Sequence, residues 1–307
     1  MDKGNQSTVT EFILFGFSDL SEHQKSLFVM FLIMYILTLF GNVVLITLIV
    51  SNPRLHTPMY YLLCCLSVVD ISFTSTTIPK LLYDLLHEVK TISFGGCFTQ
   101  LFFFHSIGNM DSFLLVLMAY DRYVAICQPL HYTMLMSKKL CSLLITGSYV
   151  IACLHSLLYT LWTSKFKYCG SNNINHFFCD APPLINLSCS DLTIFTFTQL
   201  IEGGIVLCLP FLCIAVSYAH IATSIMKMAT AVAKHKAFST CSSHIAVVTL
   251  FYGSTVAVYI RLPSTRSLDS DRFISVIYIV VTPMLNPFIY SLRNKEVKVA
   301  LKKAFSR

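Results

Sequence analysis

Seven long apolar stretches, at 27–50, 59–82, 97–120, 140–162, 193–226, 237–260 and 273–292, alternate along the chain with short polar connections. Crossing the hydrocarbon of a bilayer as a helix takes roughly 20 apolar residues. The runs are continuous rather than alternating, which predicts helices and not the strands of a barrel. The fold class is therefore an all-α membrane protein, a seven-transmembrane helix bundle. A short, basic, amphipathic eighth helix follows it. Val297, Ala300, Leu301, Ala304 and Phe305 recur there at helical spacing among Lys295, Lys298, Lys302 and Lys303, a pattern suited to the inner interface. The chain divides into an N-terminal tail, 1–26, a bundle, 27–293, and a terminal segment, 294–307. Residues 163–192 are a long outer loop, placed as a lid.

Composition agrees with this pattern. Of 307 residues, 55% are hydrophobic and 12% charged, against about a quarter charged in soluble domains. Seven spans put the two termini on opposite sides. One set of flanks holds Arg54, Arg122, Lys138, Lys139, Lys227, Lys234, Lys236 and six more basic residues from Arg293 to Arg307, against two acids, Asp121 and Glu296. Basic flanks face the cytoplasm, so the N-terminus is expected outside and the C-terminus inside the plasma membrane. The net charge of +7 is then a topology signal, and no nucleic-acid partner is implied. The first 26 residues lack a short apolar core, so the first span is expected to serve as the targeting signal. Asn5-Gln6-Ser7 is a glycosylation sequon on the side expected to be outside.

Polar residues inside the spans are few. Gly41-Asn42 offers either an interhelical hydrogen bond or a small-residue notch. Asp70 and Asp111 each need a partner in the bundle interior, because a lone carboxylate in hydrocarbon costs several kcal/mol. Pro287 kinks the seventh span and frees a carbonyl, which adjacent Asn286 can satisfy. Of twelve cysteines, eight lie in spans or on the inner side and are read as buried thiols. Cys97, Cys169, Cys179 and Cys189 face the oxidising side, where four cysteines allow three pairings. A zinc site with His176 competes, although the ten-residue spacings differ from ligand pairs.

Four strings stand out: Met118 to Cys127 (Met-Ala-Tyr-Asp-Arg-Tyr-Val-Ala-Ile-Cys), Leu55 to Tyr60 (Leu-His-Thr-Pro-Met-Tyr), Lys236 to His244, and Pro283 to Asn294 with its Asn286-Pro287 and Tyr290. Together they resemble the vertebrate olfactory (odorant) receptors, a branch of the rhodopsin-like (class A) G-protein-coupled receptor family. The resemblance covers essentially the whole chain. Phe251-Tyr252-Gly253 matches that branch in the sixth span, and Tyr149 departs from it, standing where the family usually has Trp. The resemblance implies disulfides Cys97–Cys179 and Cys169–Cys189. It implies a G-protein-coupling switch of Asp121, Arg122, Tyr123, Tyr218, Ser239, His244 and Tyr290. It also implies a polar cluster of Asp70, Asp111 and Asn286 with a possible bound sodium ion; a hydrogen-bonded knot without an ion is the other reading. No further cofactor is expected.

The ligand site is expected in the outer half, between the third, fifth, sixth and seventh spans. Phe104, His105, Gly108, Asn109 and Ser112 form the inward stripe of the third. The fifth adds Glu202, Ile205 and Val206. The sixth adds Tyr252, Thr255, Val256 and Tyr259 at helical spacing, and the seventh Ser275, Tyr278 and Ile279. Such a set suits a small, mostly apolar volatile ligand. His105 can contact an ester, a ketone or a metal-bridged thiol, or can bond to a neighbouring helix. An odorant receptor that activates a stimulatory, olfactory-type heterotrimeric G protein and raises cyclic AMP is the expected function. A transporter or channel is the alternative, but it calls for repeated halves and none is found. Neither His-Glu-x-x-His nor Gly-x-Ser-x-Gly occurs, so no enzyme is expected.

Overall fold

The computed structural model describes residues 9–169, 171–259, 268–293 and 295–305. Among them seven helices are long and apolar enough to cross a membrane. In chain order these are α1 (Gln24–Ser51), α2 (Pro58–Leu86), α3 (Phe94–Cys127), α4 (Lys138–Ser164), α5 (193–227), α6 (Ala231–Tyr259) and α7 (268–293), followed by the short α8 (Lys295–Phe305). Most outlast the apolar runs because caps set their ends. Ser93 accepts from Gly96 N at 3.1 Å to start α3, and Ser137 accepts from Leu140 N at 3.3 Å to start α4. Pro58 opens α2, where its missing N–H is no loss.

Prolines shape α5 and α7. Each changes to a π-turn just before a proline, Gly204–Cys208 ahead of Pro210 and Ile277–Val281 ahead of Pro283, which absorbs the broken backbone ladder. Pro287 removes the donor for the Pro283 carbonyl. That carbonyl is taken by Asn42 Nδ2 of α1 at 3.1 Å, and the same amide donates to Thr38 O at 3.0 Å. A Cβ on Gly41 would come within 2.9 Å of Pro287 Cγ. Gly41-Asn42 is thus both notch and hydrogen bond. The expectation that Asn286 relieves the kink is corrected, because its amide turns to α2 and donates to both Asp70 oxygens, at 2.9 and 3.0 Å. A carboxylate is the stronger acceptor, so it takes the nearer donor.

The N-terminal segment is a structural element where a tail was expected. Glu11–Leu14 form β1, the central strand of a three-stranded sheet with order β2-β1-β3, where β2 is Thr91–Ser93 and β3 is Asn173–Ile174. Phe12 pairs with Ile92 antiparallel and Ile13 with Asn173 parallel. Period-two alternation buries Phe12 and Leu14 and leaves Glu11 exposed. Gly16, at φ 52°, turns the chain off the strand. Arg272 of α7 grips that turn, donating to Gly16 O and to Asp19 Oδ1 (2.9 Å) and Oδ2 (3.2 Å).

Three buried clusters result. One lies under the sheet around Phe12, Phe98, Tyr168 and Phe195. A second joins α1, α2, α3 and α7 to the lid through Phe31, Phe73, Phe104 and Phe178. The third, around Leu66, Leu114, Met118 and Tyr290, fills the far half of the bundle. Of the eight free cysteines, Cys141 and Cys241 are buried, whereas Cys208 and Cys213 are exposed on α5. The expectation of buried thiols fails for that pair because lipid shelters an apolar thiol as a core does.

Candidate functional site

At one end, strings far apart in sequence converge. Tyr218 of α5 and His244 of α6 share a hydrogen bond of 2.8 Å, with their rings stacked at 5.7 Å. Arg122, on α3, lies at the same end, near Tyr218, Cys241, His244 and Tyr290. Tyr290 of α7 is buried, and its hydroxyl finds no hydrogen-bond partner among the described residues. Ser243 Oγ donates to Ile289 O at 3.2 Å, tying α6 to α7. Tyr123 stands at the edge, stacked edge-on to His220 at 5.8 Å and accepting from Gln128 Nε2. Ser239 is half-buried at the start of α6, its carbonyl accepting from Ser242.

The side-by-side acid and base do not pair with each other. Asp121 accepts from the hydroxyl of Tyr132 at 2.7 Å, and no Asp121–Arg122 ion pair is among the described contacts. Tyr132 lies in the connection after α3. Burial first, and the Asp121 carboxylate next, push its phenol above the ordinary range, so it stays a donor at neutral pH. The connecting segment, which the sequence left unassigned, therefore holds the acid and leaves Arg122 to the α5–α6–α7 side.

Midway along the bundle, Asp70, Asp111 and Asn286 lie together, and Asp111 is close enough to repel Asp70. Asp111 Oδ1 and Asn286 Oδ1 are buried without a hydrogen-bond partner among the described residues. Next to this cluster, the hydroxyls of Ser112 and Tyr252 share a bond of 2.7 Å, linking α3 to α6.

At the opposite end the lid is fixed by both implied disulfides. Cys97–Cys179 (Cα–Cα 5.4 Å) ties it to α3, and Cys169–Cys189 (5.9 Å) staples it internally. All four thiols are consumed, which removes the zinc alternative.

The family model for olfactory receptors matches residues 31–307. The chain belongs to the olfactory receptor family. It is 49% identical over 306 residues to Olfactory receptor 1f45 of Rattus norvegicus and 50% identical over 307 residues to Olfactory receptor 1F1 of Homo sapiens. In each case the alignment covers 100% of this chain and 98% of the relative. It is also 49% identical to Olfactory receptor 1L8 of Homo sapiens, over 98% of this chain and 97% of that one. The protein is accordingly a multi-pass plasma-membrane odorant receptor of the G-protein-coupled class and not an enzyme.

In this olfactory receptor the expected ligand residues separate into groups. Ser112 and Tyr252 face each other across the bundle. Ser275 is fully buried, and its hydroxyl has no partner among the described residues. His105 stands 4.9 Å from the Tyr159 ring, with its Nε2 3.6 Å from Asp180 of the lid. Its companion is therefore a lid carboxylate, which sequence reasoning missed. Val206 is half-buried. Thr255 is buried but donates to Phe251 O of its own helix at 2.7 Å.

Others are placed away from the expected lining. Phe104, Tyr278 and Ile279 are packed into the aromatic core, with Phe104 5.1 Å from Phe73 and 4.6 Å from Phe178. Gly108 backs onto Phe73. Asn109 turns to α4, donating to His155 Nδ1 at 3.0 Å and Ser156 Oγ at 3.3 Å. Ile205 and Val256 are exposed on the outer surface of the bundle, at 57% and 43%. The physical reason is common to these: helices apolar on every face give no contrast between inward and lipid-facing positions. The side chains of Glu202 and Tyr259, and the whole of Asn5, lie outside the described residues.

Sequence reasoning also missed Gln100. Its amide donates to Thr76 O of α2 while its carbonyl accepts from Cys179 N, both at 2.9 Å, so it seats the lid on α3. His176 of the lid is likewise buried between the rings of Phe177 and Phe178. Burial drives its pKa down to about 4, with Asp180 opposing and Arg272 assisting. It is neutral at pH 7.

Proposed function

We propose that the lid end faces outside and α8 the cytoplasm, and that a small, mostly apolar volatile ligand occupies the outer half between α3, α5, α6 and α7. His105, Ser112, Tyr252 and Ser275 supply the polar contacts beneath the lid. Ligand binding favours a state in which the inner end of α6 moves away from α5. That opens the surface around Arg122, Tyr218 and Tyr290 to a stimulatory, olfactory-type G protein, and cyclic AMP rises. One observation carries this reading: α6 is held at two heights by side-chain hydrogen bonds, Tyr252 to Ser112 and His244 to Tyr218. These residues are eight apart, about 12 Å along the axis. A ligand that perturbs the first contact shifts the lever that closes the second.

The ligand must bind the open state more tightly, by about 5 kcal/mol to move the population from mostly off to mostly on. Linkage then requires the G protein to tighten odorant binding by the same factor. A sodium ion fits the polar cluster, where the Asp70 carboxylate and the unpaired oxygens of Asp111 and Asn286 are hard donors for a hard cation. Held there, it would favour the closed bundle. Glycosylation at Asn5 accords with an outside N-terminus.

Screening an odorant panel in cells by cyclic-AMP readout, with Arg122→Ala beside wild type, tests the reading. Arg122→Ala is expected to reach the surface and to lose the response entirely. A normal response from that variant would contradict the role given to Arg122.

A further inference from the structure

A cavity of about 1110 Å³ opens on the outer surface of the bundle between α2, α3 and α4, on the other side of α3 from the proposed odorant space. It runs along α2 from Cys64 to Lys80, sixteen residues or about 24 Å, most of the hydrocarbon thickness of about 30 Å. Its length is mostly apolar, walled by Val69, Ile107, Met110 and Ile145 with the hydroxyls of Ser72, Ser75 and Thr76 among them, and Tyr149 stands at its edge, 57% exposed. Its other end is polar. There Lys80 lines the cavity with the hydroxyl residues Thr91, Ser93 and Thr99.

The buried acid at that end is shared between two lysines. Lys80 donates to Asp84 one turn further along α2, but Asp84 is buried and lines a small space beneath the sheet together with Lys90. Asp84 therefore stands beside two lysines, Lys80 and Lys90. An ammonium has three donors, and Asp84 occupies one of those on Lys80. A cation at the edge of hydrocarbon attracts an anion strongly, because neither is well screened there.

We propose that this groove binds an acidic membrane phospholipid, its phosphate on Lys80 and one acyl chain lying along α2 against Met110 and Ile145. The groove is open to the bilayer along its side, so the second chain stays among the surrounding lipids. A zwitterionic lipid would bring its own ammonium against Lys80. The site is independent of the odorant reading.

The test is lipid retention by the full receptor. Wild type is placed in nanodiscs of phosphatidylcholine with a minor fraction of phosphatidylglycerol, and retained lipid is measured by native mass spectrometry. Retained phosphatidylglycerol is expected to exceed its bulk share by about tenfold, equivalent to about 1.4 kcal/mol. Lys80→Arg should keep that enrichment. Lys80→Gln leaves Asp84 beside Lys90, and should return to the bulk ratio. Equal retention of the two lipids by wild type, or undiminished enrichment in Lys80→Gln, would overturn the proposal. So would preferential retention of oleate or a sterol added at the same level, since each lacks the phosphate.

Discussion

The two ends of the bundle are held together by different means. At the lid end, two disulfides, a three-stranded sheet and a run of packed aromatic rings connect α1, α2, α3, α7 and the long loop. At the Arg122 end, the helices meet through apolar packing around Leu66, Leu114 and Met118 and through single side-chain hydrogen bonds, with no disulfide among the described residues: Tyr218 to His244, Ser243 to the Ile289 carbonyl, and Tyr132 to Asp121. The Cys97–Cys179 disulfide, which closes a loop of 82 residues, is worth about 4–5 kcal/mol, whereas one hydrogen bond contributes about 1 kcal/mol net. A binding ligand cannot break the covalent bonds, whereas contacts of the second kind lie well within the ~5 kcal/mol of differential affinity that switching takes. The cap is therefore a fixed frame, and the Arg122 end is the part that can switch.

Breaking the frame should do the most damage. Cys97→Ser opens a loop of 82 residues and is expected to cost about 4–5 kcal/mol, so mature receptor should vanish from the cell surface by antibody staining. Phe12→Ala removes a fully buried ring from the central strand and should cost about 4 kcal/mol, lowering Tm while any receptor that folds keeps its odorant threshold. Acid should loosen the same frame. His176 stays neutral in the folded cap down to about pH 4, while an unfolded histidine takes its proton near pH 6.5. The unfolded chain then binds more protons, so stability falls as pH drops from 6.5 to 4, by on the order of 3 kcal/mol in all. Tm measured against pH should fall more steeply over that window in wild type than in His176→Gln. Smallest in energy, His244→Leu removes a bond of about 1 kcal/mol and should raise basal cyclic AMP several-fold at unchanged surface level.

The difference between the ends also explains what the sequence made legible. Membrane spans announce themselves, since roughly 20 consecutive apolar residues admit one structure in lipid. Intramembrane polar residues were legible as well. Asn42, Asp70 and Asn286 had to face inward because an unpaired polar group in hydrocarbon is costly, although their pairing was not: Asn42 relieves the Pro287 kink and Asn286 goes to Asp70. β1 was hidden because four residues carry too little alternation to register beside a polar tail. The odorant-facing set was the least legible part. Inward and lipid-facing positions are equally apolar, so Val256 and Ile205 could not be distinguished from Val206, nor Asn109 from Ser112. Gln100 and Asp180 carried no signal, since their roles exist only once the Cys97–Cys179 bond delivers the lid.

Hydrogen–deuterium exchange on purified receptor in lipid, with and without an active odorant and G protein, tests the division most directly. Exchange should rise at 231–244, where α6 meets α5, while the amides of Glu11–Leu14 and Asn173–Ile174 stay protected. A comparable rise in the sheet, or an α6 terminus that never changes under agonist, would contradict the account.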